Sequence, residues 1–83
     1  MKLQLRYFAS IRETLGCDVE THDTQATDVA GLLAELRSRG GLHAEVLAAG
    51  RPVRCAVNQV MARPETPLSE GAEVGLFPPV TGG

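Results

Sequence analysis

One segment of this sequence has the apolar repeat of a long amphipathic helix, and that segment limits the folds open to the whole chain. Between residues 28 and 39, apolar side chains recur at intervals of three and four residues, which places them on one side of a helix. The chain has only 83 residues, so it forms one domain with a small core. A single helix must therefore cover the core-facing side of the remaining elements. The apolar stripe consists of Val29, Leu32, Leu33 and Leu36.

The flanking residues predict where this helix begins and ends. Thr27 is the expected N-cap, and Asp28 places a negative charge near the positive end of the helix. Gly40 and Gly41 follow the last turn and are expected to end it. The helix is therefore predicted over residues 28–39.

Alternation of apolar and polar side chains predicts strands in most of the other segments. A repeat of two residues places one side of each strand toward a core. In the second strand, Cys17 and Val19 are the apolar members of the alternation and are expected to share one side. Strands are predicted at residues 2–8, 17–22, 53–58, 60–62 and 73–77, and short helices at residues 9–15 and 43–49.

The order of these elements predicts an α+β fold with β-grasp topology. We expect a mixed sheet of four or five strands packed on one main helix, with the first and last strands as parallel central neighbours. This domain is predicted over residues 1–78. Residues 79–83 are predicted to form an extended C-terminal tail.

Charge and hydropathy exclude two classes of partner. Eight basic and ten acidic residues give a net charge of −2, and the arginines are interleaved with acids, whereas nucleic-acid binding needs a dense cationic surface. No apolar run approaches the roughly 18 residues of a membrane span. The opening MKLQLRYF alternates and lacks the apolar segment of a signal peptide. We therefore expect a cytoplasmic protein that binds neither nucleic acid nor membranes.

The residue types that commonly carry catalysis or bind metals are not expected to form a site. Cys17 and Cys55 are too few and too far apart for a zinc site or a disulfide scaffold, and are expected to be small strand hydrophobes in a reducing compartment. His22 and His43 have no partner at metal-ligand spacing and are expected to lie at the surface. We predict no metal site, no bound cofactor and no independent catalysis. The glutamates Glu13, Glu20 and Glu35 lie on different predicted elements and are not expected to converge.

The C-terminal residues are the part of the sequence that points to chemistry. Pro78 and Pro79 lack backbone donors and end the last strand. Val80 and Thr81 favour an extended chain because they are β-branched. The final residues, Gly82-Gly83, have no side chains and can enter a channel too narrow for any other residue.

The only reactive group of such an end is its α-carboxylate. It is ionised at neutral pH, because the usual pKa of this group is about 3.3–3.7. An ionised carboxylate is a poor electrophile, so it must be activated, for instance as an acyl-adenylate. Nothing in this chain can perform the activation, so a second protein is needed. The alternative is that Gly-Gly is simply a frayed terminus.

Four stretches of the sequence together match a known family: LRYFASIRETLG at 5–16, AVNQ at 56–59, LSEGAEV at 68–74 and LFPPVTGG at 76–83. With these motifs, the sequence resembles over essentially its whole length the small subunit of molybdopterin synthase, a sulfur carrier of the ubiquitin-like family. One departure is Ala72, where that family commonly has an acidic residue.

The resemblance implies a role for the terminal glycines. Gly83 would be adenylated by a ubiquitin-activating-like adenylyltransferase that uses ATP, and then converted to a thiocarboxylate with sulfur from a donor system. The tail would enter the active site of the large subunit of molybdopterin synthase, with Gly82 as the slim residue behind the reactive group. Sulfur would pass to cyclic pyranopterin monophosphate. The sequence leaves three alternatives open: a sulfur carrier for thiamine synthesis or tRNA thiolation, a ubiquitin-like protein modifier, and a passive interaction module.

The pattern of outward-facing residues predicts a docking surface beside the tail. Phe8 and Phe77 both point away from the predicted helix, and they lie side by side if the first and last strands are neighbours. Exposed apolar patches commonly mark binding sites. Arg12 is a candidate to pair with an acidic group of the partner. The predicted partner-binding residues are Phe8, Arg12, Met61, Phe77, Pro78, Pro79, Val80 and Thr81.

Overall fold

The computed structural model describes residues 1–47 and 53–78. Within these ranges the chain forms five strands and three helices in the predicted order. The end of the predicted helix at 43–49 and the predicted tail at 79–83 lie outside the described residues. The elements are β1 (Lys2–Tyr7), α1 (Ala9–Leu15), β2 (Val19–Asp23), α2 (Val29–Arg37), α3 (Gly41–Val46), β3 (Arg54–Val57), β4 (Val60–Met61) and β5 (Glu73–Phe77).

The five strands form one mixed sheet in the order β2-β1-β5-β3-β4. The central pair, β1 and β5, is parallel, and Leu5 lies opposite Val74. The other three pairings are antiparallel. A first and last strand that pair in parallel at the centre of the sheet confirm the predicted β-grasp topology.

One side of the sheet packs against α2 and forms the core. The inward residues of β1 and β5 are almost fully buried, as are Leu32 and Leu36 of α2. Leu33, which belongs to the predicted stripe, is only half-buried and packs at the margin of the core. The buried strand residues that share this core are Leu3, Leu5, Tyr7, Cys55, Val74 and Leu76.

The start of α2 differs from the prediction. Asp28, not Thr27, is the N-cap: its backbone is extended and its carboxylate accepts a hydrogen bond from the Gly31 N–H at 2.8 Å. The Thr27 carbonyl instead accepts from the Leu68 N–H at 2.9 Å, which ties this end of the helix to the loop before β5. Asp28 therefore satisfies a backbone donor that an N-terminal helix turn would otherwise leave unpaired.

β2 begins later than the predicted strand at 17–22, and its apolar side does not face the core. Cys17 is exposed and precedes the strand, and Val19 is half exposed. The pairing of β2 with β1 places Glu20 opposite Leu5 and His22 opposite Leu3, so these two polar side chains lie on the core side of the sheet.

Hydrogen bonds compensate for the partial burial of Glu20. Its carboxylate accepts a bond from the Tyr7 hydroxyl at 2.6 Å and two from the Arg39 guanidinium, each at 3.1 Å. The hydrogen bonds from Arg39 lower the pKa of Glu20, against the opposing effect of burial. The pKa of Tyr7 is raised, first by burial and then by its bond to Glu20.

A second carboxylate, Glu35 of α2, anchors the end of β2. It accepts hydrogen bonds from the Thr24 hydroxyl at 2.6 Å and the Gln25 N–H at 3.0 Å, and it lies 2.7 Å from His22 Nε2. Burial raises the pKa of Glu35, but these hydrogen bonds outweigh it and the net shift is downward. The glutamates therefore have defined structural partners that the sequence pattern did not reveal.

The predicted surface position of His43 was also wrong. Its Nε2 is buried without a hydrogen-bond partner among the described residues, and its ring lies edge-on to Tyr7. Burial lowers the pKa of His43.

None of the helices in the described ranges has the length and apolar character to cross a membrane.

Candidate docking face and carboxyl terminus

The side of the sheet opposite the core forms a surface that we call the outer sheet face. It consists of the outward residues of the five strands together with Phe8, which directly follows β1. Strand register aligns one row of these positions across the sheet: Val19, Arg6, Gly75, Ala56 and Met61.

An aromatic pair lies at one end of this face. Phe8 follows β1, and Phe77 is the last residue of β5. Their ring centroids are 6.0 Å apart with an interplanar angle of 81°, an edge-to-face contact. Phe8 is 38% exposed and Phe77 is half-buried. The predicted side-by-side placement of the two rings is therefore observed.

A cation accompanies the aromatic pair. The guanidinium carbon of Arg6 lies 5.6 Å from the centroid of the Phe8 ring, within the range of a cation–π contact. One guanidinium nitrogen of Arg6 is also 3.9 Å from the carboxylate of Glu73 on the neighbouring strand. Arg6 thus lines the rim of the aromatic pair, a role that the sequence pattern did not reveal.

Gly75 lies directly beneath Phe8. It is buried although it belongs to the outer sheet face, because the aromatic ring covers it. A Cβ atom added at this position would lie 3.1 Å from Phe8 Cε2 and 3.9 Å from Phe77 Cε1. The sequence signal was a glycine inside a strand, which commonly marks a close approach of another group to the backbone.

Met61 and Arg12 lie apart from the aromatic pair. Met61 is 56% exposed on the edge strand β4, and β3 separates it from β5. Its place two strands from β5 corresponds to roughly 10 Å. Arg12 is exposed on α1, and among the described residues its side chain forms no ion pair. The structure therefore places both residues at the surface, outside the aromatic pair.

The described part of the chain ends beside the aromatic pair. Pro78 is half-buried and directly follows Phe77. The other predicted tail residues, Pro79, Val80, Thr81, Gly82 and Gly83, lie outside the described residues.

Side chains within the described ranges form no group of three or more histidine, cysteine or acidic residues that could hold a metal ion. Cys55 is buried, and burial raises the pKa of its thiol to about 11, which keeps it protonated at neutral pH. Cys17 and Cys55 are both free. The outer sheet face, with the chain leaving β5 next to it, is therefore the candidate functional site.

A mixed sheet with parallel first and last strands, packed on one main helix, defines a ubiquitin-like β-grasp domain. Comparison with protein families identifies the family of this domain. The model of the ThiS family matches residues 5–83, and the chain belongs to this family.

Two relatives match nearly the whole chain, and both are named molybdopterin synthase sulfur carrier subunit. The relative from Escherichia coli strain K12 is 33% identical over 98% of this chain and 99% of its own length. The relative from Haemophilus influenzae is 35% identical over the same shares of the two chains.

A solved complex of subunits 1 and 2 of molybdopterin-converting factor from Helicobacter pylori contains a chain with this fold. The match covers 100% of both chains, with 28% identity and a TM-score of 0.67. These comparisons confirm the predicted family and the predicted fold.

Proposed function

We propose that this chain is the sulfur-carrier subunit of molybdopterin synthase and acts in the biosynthesis of the molybdenum cofactor. The observation that carries the proposal is the full-length match to two relatives with that name, at 33% and 35% identity. The family match extends through the terminal Gly82-Gly83, the residues on which the chemistry depends.

The reactive group in this proposal is the terminal carboxylate of Gly83. A partner adenylyltransferase binds ATP, and the carboxylate oxygen attacks the α-phosphate and displaces pyrophosphate. The resulting acyl-adenylate is electrophilic at its carbonyl carbon. Sulfur at the oxidation level of sulfide, delivered by a donor system, then attacks that carbon and displaces AMP, which leaves a thiocarboxylate. The chain itself binds neither ATP nor another cofactor in this scheme.

The thiocarboxylate then delivers its sulfur inside the large subunit of molybdopterin synthase. The sulfur attacks a carbon of cyclic pyranopterin monophosphate and forms a carbon–sulfur bond there, while an oxygen substituent on that carbon leaves and takes up a proton. Water then adds to the Gly83 carbonyl carbon and breaks its bond to sulfur, so the sulfur stays on the pterin. The Gly83 carboxylate is restored and the carrier can be charged again. The acid–base and substrate-binding groups belong to the large subunit in this proposal, so the carrier is not an enzyme by itself.

The outer sheet face supplies the docking surface of the proposed carrier. A partly exposed aromatic pair beside the point where the chain leaves the sheet suits a partner that must also take up the tail. The complex of two molybdopterin-converting factor subunits supports assembly with a second subunit. We assign docking to Phe8, Arg12, Met61, Phe77 and Pro78, together with the tail residues Pro79, Val80 and Thr81.

The proposed cellular location is the cytoplasm. Activation of Gly83 consumes ATP, and both cysteines are free thiols, as is usual in a reducing compartment.

Intact-mass spectrometry tests the carrier chemistry. The chain is incubated with the activating enzyme, ATP and a sulfide source, and the mass of its C-terminal peptide is then measured. We expect a gain of about 16 Da, the difference between sulfur and oxygen, that depends on ATP. A variant that lacks Gly83 is the matched control and should gain nothing. An unchanged mass of the full chain, or an equal gain in the control, would overturn the proposal.

The pathway is tested separately with the large subunit. Two equivalents of the thiocarboxylated chain should convert one cyclic pyranopterin monophosphate to molybdopterin, because the dithiolene of the product holds two sulfur atoms, and the Gly83 carboxylate should reappear on each chain. Charging without this conversion would contradict the assignment to molybdenum cofactor synthesis and would support a carrier for another pathway.

A further inference from the structure

We propose that Gly75 is a positioning residue for docking. Because Gly75 has no side chain, the Phe8 ring packs directly on its backbone, and we call this backbone surface the seat of the ring. The seat holds the Phe8 ring in place for the partner subunit. The inference rests on the proposed function, because it assumes that the outer sheet face binds the large subunit. It concerns a residue whose effect is exerted through Phe8 and not through its own contact with the partner.

The first argument is the closeness of the ring to the Gly75 backbone. A Cβ at residue 75 would lie 3.1 Å from Phe8 Cε2, which is closer than ordinary van der Waals contact. A valine would add two Cγ atoms, each about 1.5 Å from that Cβ, in a space that the ring already fills. Alanine therefore requires a small displacement of the ring, whereas valine requires the ring to leave its seat.

The second argument is that the backbone of Phe8 is held on both sides. Its N–H donates to the Leu76 carbonyl at 3.0 Å, and its carbonyl accepts from the N–H groups of Ile11 and Arg12 at 3.2 and 3.3 Å. The next residue, Ala9, has a φ of 52°, in the left-handed region that disfavours residues with a Cβ. A side chain at residue 75 will therefore rotate the ring of Phe8 rather than move its backbone.

The third argument is that two further groups depend on the orientation of this ring. Phe77 contacts it edge to face, and the guanidinium of Arg6 lies over its plane. Displacing the ring changes both contacts at once, and with them the shape of the exposed apolar surface. A glycine in a central strand normally weakens a sheet, and the covering aromatic ring offsets that loss here.

The seat itself is tested first in the isolated chain. Gly75→Ala and Gly75→Val are compared with wild type by the NMR shifts of the Phe8 and Phe77 ring protons. Thr21→Val is the matched control, because it places valine on the same face of β2, two strands away. We expect small ring shifts for alanine, large ones for valine and none for the control. Unchanged ring shifts in Gly75→Val would overturn the inference, whatever the partner is.

The effect on docking is then measured by calorimetry with the large subunit. We expect Gly75→Ala to weaken binding a few-fold and Gly75→Val at least tenfold, with the thermal midpoint of unfolding within a few degrees of wild type. If Gly75 acts through Phe8, Gly75→Val will cause no further loss in a Phe8→Ala background. Wild-type affinity of Gly75→Val, or an equal loss in both backgrounds, would overturn the positioning role.

These measurements separate the two levels of the proposal. If wild type fails to bind the large subunit, the proposed function fails, while the ring shifts still decide whether Gly75 seats Phe8. If wild type binds and Gly75→Val binds equally well, only the positioning role fails.

Discussion

One side of the sheet forms the buried core, whereas the other side remains at the surface. On the core side, Leu3, Leu5, Val74 and Leu76 are fully buried, whereas on the outer sheet face Met61 is 56% exposed. Burial of apolar surface stabilises a fold by about 25 cal/mol per Å², so the core side supplies most of the stability. Apolar surface left in water contributes nothing to the monomer, but it becomes available to a partner. Because successive side chains of a strand point to opposite sides, the residues that stabilise the fold lie on one side of the sheet and the residues proposed to bind the partner lie on the other.

Truncation on the core side should have the largest effect on stability. Leu36 is fully buried on α2, so Leu36→Ala is expected to cost about 2–5 kcal/mol in the free energy of unfolding. Leu33 is one helical turn away but only half-buried, so Leu33→Ala should cost clearly less. Urea unfolding of both variants measures the difference. Equal losses would contradict the assignment of Leu33 to the margin of the core.

Truncation on the outer sheet face should mainly affect binding. Phe8→Ala and Phe77→Ala are each expected to weaken binding to the large subunit at least tenfold, which corresponds to about 1.4 kcal/mol. Their unfolding free energies should fall by no more than about 1–2 kcal/mol, because both rings are partly exposed. Calorimetry tests this, with Glu45→Ala as the control, because Glu45 is exposed on α3 and lies outside the outer sheet face. Affinities equal to that of wild type would remove these two residues from the docking surface.

The polar end of the core side should make stability dependent on pH. Arg39, Tyr7 and His43 surround Glu20, and its pKa in the folded chain lies below the usual value of 4.5. The carboxylate therefore stabilises the fold fully above that value, and this contribution is lost as the pH falls through the lowered pKa. Glu20→Gln should cost about 1–2 kcal/mol at neutral pH, since it removes a hydrogen-bonded charge.

The pH dependence of unfolding tests whether the charge of Glu20 is the source of this stabilisation. In urea unfolding experiments, the difference between wild type and Glu20→Gln should be constant around neutral pH and should shrink in acid, below 4.5. The exposed Glu13 offers the matched control, Glu13→Gln. A difference that persists unchanged in strong acid would mean that the charge of Glu20 is not the source of its contribution.

The smallest expected effect concerns the hairpin between β3 and β4. Asn58 and Gln59 have φ values of 50° and 69°, as a two-residue type I′ turn requires. Gln59 carries the steric penalty of that conformation, and Gln59→Gly should therefore stabilise the domain by about 0.5–1 kcal/mol. Thermal unfolding measures the gain. Gln59→Ala should give none, because alanine keeps the Cβ that causes the penalty.

Where the prediction from sequence was correct, the signal was local. The stripe on α2 and the alternation along β1 and β5 depend on residues a few positions apart, which a helix or a strand places on one side. The order of elements followed from the same short-range patterns. The aromatic pair also followed, because strand alternation and β-grasp topology together place both rings on one side.

The tertiary structure alone decided the features that depend on pairing between distant segments. The alternation in β2 is compatible with either side facing the core, and pairing with β1, together with Arg39 and Glu35 near the end of α2, turned Glu20 and His22 inward. Gly75 likewise became significant only when β5 paired with β1 and placed its backbone under Phe8. Local repeats determine which elements form, whereas register and close contact between elements determine which side chains meet.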